Sequence, residues 1–305
     1  MKIIDLEKIK FSDDSRLNFD HDLSKLNWFN IGGKAKIFLL ANSLNDLSVF
    51  LNTYNNRGKV FILGAGSNIL FDDHTYEGVI IKLGKNFNNI SKLNENLIIS
   101  GSSCLDRKVA DFAMENEIEG LEFLSCIPGS IGGGIRMNAG CYGREFKDIL
   151  VSVQALDFNG KVLTIPSDKI NFKYRSSNLS KDLIFLSATF KGKVSLKENI
   201  KKKINSLKSQ KDASQPLRVK TSGSTFKNPI DQTNKKVWEL IKESIDINEA
   251  NTMFGDAVLS EKHCNFLINK ENASSTDMKN LINFIKENVY KKTGVNLELE
   301  IVLTS

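Results

Sequence analysis

The sequence predicts an α+β protein of two or three domains, and three observations lead to that fold class. The chain has 305 residues, which is enough for two or three domains at roughly 100–200 residues each. Hydrophobic residues make up 41% and charged residues 26% of the chain, as in ordinary folded proteins. Strand-length apolar runs alternate with amphipathic helical patterns, and the character of the chain changes near residue 205.

The N-terminal part alternates strands with helices. A helix opens at Ser43, a preferred N-cap residue, and is expected to end at Gly58. The Asn159-Gly160 pair is a strong signal for a hairpin turn between its flanking apolar segments. The predicted strands are 37–41, 60–63, 96–100, 151–158, 161–166 and 183–190, and a second helix covers about 105–116.

The C-terminal part, after the boundary expected near residue 205, combines helices and strands. Its predicted elements are a helix around Trp238, a strand at 263–269, a helix over about 277–292 that ends at Gly294, and a strand at 295–303. Side chains two residues apart on a strand share a face. Glu298 and Glu300 are therefore expected on the same face of the last strand, and periodicity does not distinguish between them.

The net charge of +6 is concentrated in one segment, 191–220. That segment holds ten Lys or Arg residues against two acids, so it carries +8 and the rest of the chain −2. Ile200 and Ile204 recur at helical spacing after a capping-box pair, Ser195 and Glu198, which predicts a helix with a solvated basic face. A nucleic-acid surface would need aromatic residues between the charges. A milder alternative is that this face attracts an anionic substrate.

The spacing of the cysteines, the small number of histidines and the shortness of the apolar runs argue against several classes of protein. The four cysteines lie at least 15 residues apart, so neither a zinc CxxC pair nor a dense disulfide framework is expected. Three histidines leave few candidates for a metal site or a Ser-His-Asp triad. The apolar runs are much shorter than the roughly 20 residues of a membrane span, and the N-terminus has no signal-peptide pattern. We expect a cytoplasmic protein with reduced thiols and no metal.

Two glycine-rich loops are the strongest candidates for a binding site. In the first, a strand runs into the sequence Gly64, Ala65, Gly66, Ser67, Asn68 and Ile69. Glycines let backbone N–H groups approach an anion, and the serine and asparagine add donors, which predicts a phosphate cradle. The segment matches neither the Rossmann fingerprint nor a P-loop. A plain strand-to-helix turn is the alternative.

The second loop, PGSIGGG at 128–134, is richer still in glycine. Its residues include Pro128, Gly129, Ser130, Gly132 and Gly133, and Asn138 and Gly140 follow closely. So many glycines raise the conformational entropy that is lost on folding. Such a loop is usually kept because a planar or anionic group lies against it.

Seven polar residues flanked by strand or turn signals form another group of candidates. They are Tyr174, Arg175, Ser224, Lys227, Asn228, Glu298 and Glu300. Taken singly, each has an ordinary explanation: Arg175 as a surface ion pair, Ser224 as a turn hydroxyl and Glu300 as an exposed strand residue. Only the set taken together indicates a site.

Seven motifs occur in order between about residue 20 and residue 303. They are NWFNIGG (27–33), GAGSNIL (64–70), IPGSIGGGIRMNAGCYG (127–143), YRSS (174–177), GSTFKNP (223–229), HCNFLIN (263–269) and LELEI (297–301). This series closely resembles the UDP-N-acetylenolpyruvoylglucosamine reductase family, flavoenzymes that complete UDP-N-acetylmuramate in peptidoglycan synthesis. The short gap between Arg175 and Ser224 is similar to that of the compact class of the family.

The resemblance implies a fold and a domain division. Two N-terminal subdomains, 1–90 and 91–204, would bind FAD non-covalently in the fold of vanillyl-alcohol-oxidase-type flavoproteins. The C-terminal α+β domain, 205–305, would bind the UDP-sugar substrate. NADPH would supply the hydride and share one site in turn with the UDP-sugar. That sharing agrees with the lack of a dinucleotide fingerprint in the chain.

The resemblance also assigns residues. Arg175 and Glu300, the latter protonated, match the groups that stabilise the enolate, and Ser224 matches the proton donor. Tyr174, Lys227 and Asn228 match substrate-binding positions. The cofactor positions are Gly64, Ala65, Gly66, Ser67, Asn68, Ile69, Pro128, Gly129, Ser130, Gly132, Gly133, Asn138 and Gly140.

Two alternatives stay open at this point. A sugar or alcohol oxidase on the same flavin scaffold would tether its flavin through a histidine or a cysteine, for which His74 and Cys141 are the nearest residues. A non-enzymatic binding module would instead use the basic helix.

Overall fold

The computed structural model describes residues 4–11, 14–55 and 57–304. Within these ranges the α-helices are α1 (Ile4–Glu7), α2 (Leu44–Tyr54), α3 (Asp106–Glu115), α4 (Ile131–Met137), α5 (Lys197–Ser214), α6 (Val237–Ser244), α7 (Ile247–Ala250) and α8 (Ser275–Thr293). The strands are β1 (Arg16–Asp22), β2 (Lys34–Ala41), β3 (Val60–Leu63), β4 (Ile69–Leu70), β5 (Tyr76–Leu83), β6 (Ile90–Lys92), β7 (Leu97–Gly101), β8 (Ile118–Glu119), β9 (Gly140–Cys141), β10 (Arg144–Glu145), β11 (Leu150–Asp157), β12 (Val162–Pro166), β13 (Leu183–Lys191), β14 (Lys193–Val194), β15 (Ala257–Leu259), β16 (Leu267–Asn269) and β17 (Val302–Leu303).

The chain forms two compact units, each assembled from separated stretches of sequence. The first unit comprises Met1–Phe19, Ile37–Ala65 and Glu77–Gln210, and the second comprises Asp20–Lys36, Gly66–Tyr76 and Lys211–Ser305. The three-domain division at residues 90 and 204 stays a prediction. In the described ranges, no helix has both the length and the apolar character that crossing a bilayer requires.

The first unit is built on two sheets. Strands β12, β11, β13, β7 and β6 lie in that order in an antiparallel sheet, and β11 and β12 form the hairpin predicted from Asn159-Gly160. The other sheet has the order β1-β2-β5-β3, in which β3 and β5 run parallel with Leu63 opposite Lys82. The carboxyl ends of β3 and β5 therefore lie side by side, at the point where the first glycine-rich loop begins.

Helix α2 shows where the sequence prediction of a helix end fails. Its start is as predicted, because the Ser43 side chain accepts a hydrogen bond from the Asp46 N–H at 3.1 Å. The helix ends before the predicted Gly58, since Asn55 adopts the left-handed conformation (φ 46°) and donates its N–H to the Leu51 carbonyl. Asparagine tolerates this conformation better than most residues.

The basic segment forms helix α5, as predicted. Its buried residues are Ile200 and Ile204, whereas Lys203 forms an ion pair with Glu119 at 2.8 Å on the surface. Surface ion pairs contribute only about 0–1 kcal/mol each. The apolar face therefore holds this helix in place, and the interpretation of the lysines as a solvated face fits the structure.

The second unit is organised around helix α8. The helix begins with a capping box between Ser274 and Asp277 and ends at Gly294, whose φ is 73°. Its buried face, which includes Leu281 and Ile285, belongs to one hydrophobic core together with residues of α6 and β15. The predicted helix is confirmed, with a start two residues earlier than expected.

The two predicted C-terminal strands are shorter than the sequence suggested. Only Leu267–Asn269 of segment 263–269 pairs as a strand, because a turn closed by a hydrogen bond from the Phe266 N–H to the His263 carbonyl precedes it. Segment 295–301 keeps the predicted alternation of burial but makes a single isolated bridge, from Leu299 to Phe226. Its regular pairing begins only at Val302, in β17, which runs parallel to β4.

Candidate active site

The two glycine-rich loops meet in the first unit, at Gly64. A Cβ atom on Gly64 would lie 2.7 Å from Oγ of Ser130 and 3.8 Å from Cα of Gly133. The first of these distances is shorter than real Cβ contacts allow. Glycine at position 64 is therefore what lets the loop after β3 approach the loop that leads into α4.

Two buried serine hydroxyls at the second loop form no hydrogen bond with the described residues. In the part of the chain that the structure describes, the buried hydroxyls of Ser102 and Ser130 have no hydrogen-bond partner. A Cβ on Gly132 would lie only 3.2 Å from Cβ of Ser102. A buried polar group without a partner costs about 1–3 kcal/mol, so these hydroxyls suit a loop that takes up a polar ligand.

Asp106, the first residue of α3, is a buried acid beside this loop that sequence reasoning missed. Its N–H donates to the Gly129 carbonyl at 3.1 Å, and neither carboxyl oxygen has a hydrogen-bond partner among the described residues. Burial raises the pKa of this carboxyl well above its usual range. An acid in the first turn of a helix is common on surfaces, so the sequence carried no signal that Asp106 is buried.

Asn138 and Gly140 organise the turn that follows α4. Asn138 adopts a left-handed conformation at φ 42°, and its Nδ2 donates to Glu145 Oε2 at 3.0 Å and to the Lys173 carbonyl at 3.1 Å. A Cβ on Gly140 would lie 2.3 Å from the Arg144 carbonyl oxygen. Asn138 and Gly140 therefore both stabilise the local backbone of this turn, and their proposed contact with the cofactor stays a prediction.

Arg175 is held over the same turn. One guanidinium nitrogen donates to the Gly140 carbonyl at 3.1 Å, and another lies 3.8 Å from Glu145 Oε1. The guanidinium carbon lies 4.9 Å from the centre of the Tyr174 ring, within the range of a cation–π contact. Only 17% of the Arg175 side chain is exposed, so the structure fixes this positive charge at a defined place in the first unit.

In the second unit, Asn68 and Ile69 of the GAGSNIL motif lie against the C-terminal segment. Asn68 donates from Nδ2 to the Glu300 carbonyl at 3.0 Å, and its own carbonyl accepts the Val302 N–H at 3.0 Å. Ile69 pairs with Val302 in the β4–β17 ladder. The structure thus brings Asn68 and Glu300, two residues chosen from motifs far apart in sequence, into direct contact.

Ser224 and Glu300 lie on neighbouring backbone segments of the same unit. The carbonyl of Thr225 accepts the Glu300 N–H at 2.8 Å, and half-buried Ser224 bridges to Phe266 on its other side. The Thr225 hydroxyl is buried without a partner in the described part of the chain. Sequence reasoning did not single out Thr225, because nothing distinguishes it from any other residue of a polar turn.

The predicted substrate-binding residues Lys227 and Asn228 both contact other residues of the second unit. Lys227 Nζ lies 3.5 Å from Oε2 of Glu298, whose side chain is 75% exposed. Oδ1 of Asn228 accepts the Val237 N–H at 3.1 Å and so caps α6. Contact of these two residues with substrate stays a prediction.

Replacing Gly66 with alanine should destabilise the second unit. Gly66 has a φ of 71°, and a Cβ there would lie 2.1 Å from the Leu26 carbonyl oxygen. The left-handed conformation and the backbone clash together should lower the free energy of unfolding by about 2–4 kcal/mol, measured by urea unfolding. Gly143→Ala is the matched control, because Gly143 has a φ of 79° and a Cβ there would lie more than 4 Å from the non-adjacent atoms of the described residues. Equal losses in both variants would show that the clash is relieved.

Comparison with known proteins first defines the class of protein. Residues 35–166 match the family model described as an FAD binding domain. Residues 215–304 match the one described as UDP-N-acetylenolpyruvoylglucosamine reductase, C-terminal domain. The chain is an FAD-binding oxidoreductase whose C-terminal residues match a second family model, and the predicted α+β fold class is confirmed.

Individual relatives then identify the family. The UDP-N-acetylenolpyruvoylglucosamine reductase of Pelagibacter ubique is 56% identical over 301 residues, 99% of each chain. That of Rickettsia typhi is 46% identical over 92% of this chain and 93% of its own. The crystal structure of the enzyme from Thermus caldophilus matches with a TM-score of 0.79 and 25% identity, over 95% of this chain and 99% of that one. The chain belongs to the UDP-N-acetylenolpyruvoylglucosamine reductase family.

Proposed function

We propose that this chain reduces UDP-N-acetylenolpyruvoylglucosamine to UDP-N-acetylmuramate, a peptidoglycan precursor, with NADPH as the hydride donor and FAD bound non-covalently. The observation that carries the proposal is the backbone hydrogen bond from Glu300 to Thr225, the residue that follows Ser224. In this proposal Glu300 and Ser224 are the two residues of the second unit that take part in the chemistry. Full-length relatedness to reductases of that name supports the same activity.

The residues of the first unit fit a flavin cofactor. Gly64 and Gly133 allow the two loops to approach, and the hydroxyls of Ser102 and Ser130 have no hydrogen-bond partner among the described residues. Backbone groups of such loops are suited to phosphate oxygens. FAD held by these loops would, once reduced, supply the hydride for the terminal carbon of the enol ether.

Hydride addition places negative charge on the adjacent carbon and its carboxylate, and the protein must stabilise that charge. Arg175 supplies a fixed positive charge through a guanidinium already oriented by Gly140 and Glu145. Glu300, in its protonated form, donates a hydrogen bond to the developing enolate. Ser224 then transfers its hydroxyl proton to the carbanionic carbon, which completes addition of one hydride and one proton across the double bond.

NADPH and the UDP-sugar occupy one site in turn in this proposal. The chain has no dinucleotide-binding fingerprint, so a separate nicotinamide domain is not expected. Tyr174, Lys227 and Asn228 would contact the sugar and diphosphate of the substrate. Reductases that match this chain over 99% and 92% of its length favour reduction over the oxidase and binding-module alternatives.

An absorption spectrum of the purified protein tests the proposal. We expect flavin bands that bleach on anaerobic addition of NADPH and return when UDP-N-acetylenolpyruvoylglucosamine is added. Acid denaturation should release free FAD into the supernatant. A flavin that bleaches with NADPH but does not recover with this substrate would contradict the proposed reaction, and flavin retained on the denatured chain would contradict non-covalent binding.

A further inference from the structure

Lys82 is a half-buried lysine at the first glycine-rich loop that the sequence analysis left unused. Its Nζ donates a hydrogen bond to the Gly64 carbonyl at 2.8 Å. Lys82 lies one residue from the end of β5, directly opposite Leu63, the last residue of β3. The lysine therefore stands at the point where β3 passes into the loop.

The ammonium group of Lys82 has fewer hydrogen-bond acceptors among the described residues than it has donors. Burial lowers the pKa of Lys82, and no charged neighbour contributes to that change. In the described residues, the Gly64 carbonyl is the one acceptor of this ammonium group, and no carboxylate forms an ion pair with it. An ammonium group has three donors, and buried charges in proteins are normally paired. An anion beside Lys82 would supply the missing partner.

The position of Lys82 indicates which anion this is. Ligands of sheets with parallel strands bind outside the carboxyl ends of those strands, and Lys82 and Gly64 lie at the carboxyl ends of a parallel pair. Gly64 is also where the second loop approaches, through Ser130 and Gly133. All of these residues fall within the range that matches an FAD binding domain, 35–166.

We propose that the Lys82 ammonium binds the diphosphate of FAD while it holds the Gly64 carbonyl. The inference rests on FAD binding by this chain, and it adds a charged partner to loops that otherwise offer backbone and hydroxyl donors. The lysine would contribute charge-assisted hydrogen bonds, which are about twice as strong as neutral ones. It would contribute nothing to recognition of the flavin ring.

The test compares flavins with and without phosphate, on the full-length chain freed of flavin by mild dialysis. Lys82→Gln keeps a donor for the Gly64 carbonyl but removes the charge, and Lys82→Arg keeps a charge. Lys85→Gln is the matched control, because Lys85 is an exposed lysine of the same region that pairs with Asp14. Dissociation constants are measured for FAD and for riboflavin by flavin fluorescence, and for UDP by calorimetry.

We expect Lys82→Gln to weaken FAD binding by about 10–100-fold, the range for a lost charged hydrogen bond. Riboflavin binding should change less than threefold, and both Lys82→Arg and Lys85→Gln should bind FAD nearly as the natural chain does. Equal weakening of FAD and riboflavin would show that Lys82 only supports the loop, and would overturn the inference. Unchanged FAD affinity in Lys82→Gln, or a loss confined to UDP, would also overturn it. A chain that binds FAD in this way but does not reduce the enolpyruvyl substrate would refute the proposed reaction alone.

Discussion

Ser224→Ala should still be reduced by NADPH at close to the natural rate, while its reoxidation by UDP-N-acetylenolpyruvoylglucosamine slows by about 10²–10⁴-fold, the range for a lost general acid. The serine hydroxyl acts only after hydride has reached the substrate, so the first half-reaction does not need it. The second half-reaction needs a proton at the carbon next to the carboxylate. Anaerobic stopped-flow absorbance of the flavin measures the two half-reactions separately.

Ser222→Ala is the matched control for this prediction. Ser222 is two residues away and buried, and its hydroxyl donates to the Ile69 carbonyl at 3.2 Å, so its loss should reduce stability by about 1 kcal/mol and leave both half-reactions within a few-fold. Equal slowing of both half-reactions in Ser224→Ala would mean that the serine is structural. Circular dichroism of the two variants separates a folding defect from a chemical one.

The success of the sequence predictions depended on how local each signal is. Helix α8 was predictable because its capping residue, its apolar face and its terminal glycine all lie within twenty or so residues. The hairpin at Asn159-Gly160 was predictable for the same reason. The extent of the last strand was not predictable, since strand pairing depends on a partner elsewhere in the chain. Segment 225–227 forms only irregular backbone pairing with segment 295–301.

The same distinction applies to the site. Glycines of the two loops were visible in the sequence because their clustering is unusual in itself. Lys82, Asp106 and Thr225 were missed because lysine, aspartate and threonine are common at such positions in a sequence. They are distinguished only by side-chain polar groups that are buried with few or no hydrogen-bond partners among the described residues. Burial of that kind results from long-range packing, so it could not be inferred from neighbouring residues.

Glu300 and Glu298 illustrate what the structure adds to a pattern that left two residues equivalent. Glu298 extends into solvent, with 75% of its side chain exposed and Lys227 as its ion-pair partner at 3.5 Å. Glu300 is half-buried, and its backbone is held on both sides: its N–H donates to the Thr225 carbonyl and its carbonyl accepts from Asn68. A group that must meet a transient charge benefits from such fixed placement.

Glu300→Gln should therefore lower the turnover number by about 10²-fold, as expected for a lost stabiliser of a developing oxyanion, with only a small change in the substrate dissociation constant. The stabilising hydrogen bond strengthens only when charge develops, so its loss affects the transition state more than the bound substrate. Glu300→Ala should be at least as severe, because it also removes the amide donor. Glu298→Gln, the matched control, should keep its turnover within a few-fold. Steady-state kinetics, together with substrate binding measured by calorimetry, distinguish the roles of the two glutamates. A Glu298 variant that loses turnover while the Glu300 variant keeps it would reverse the assignment. Equal losses would place both glutamates in the reaction.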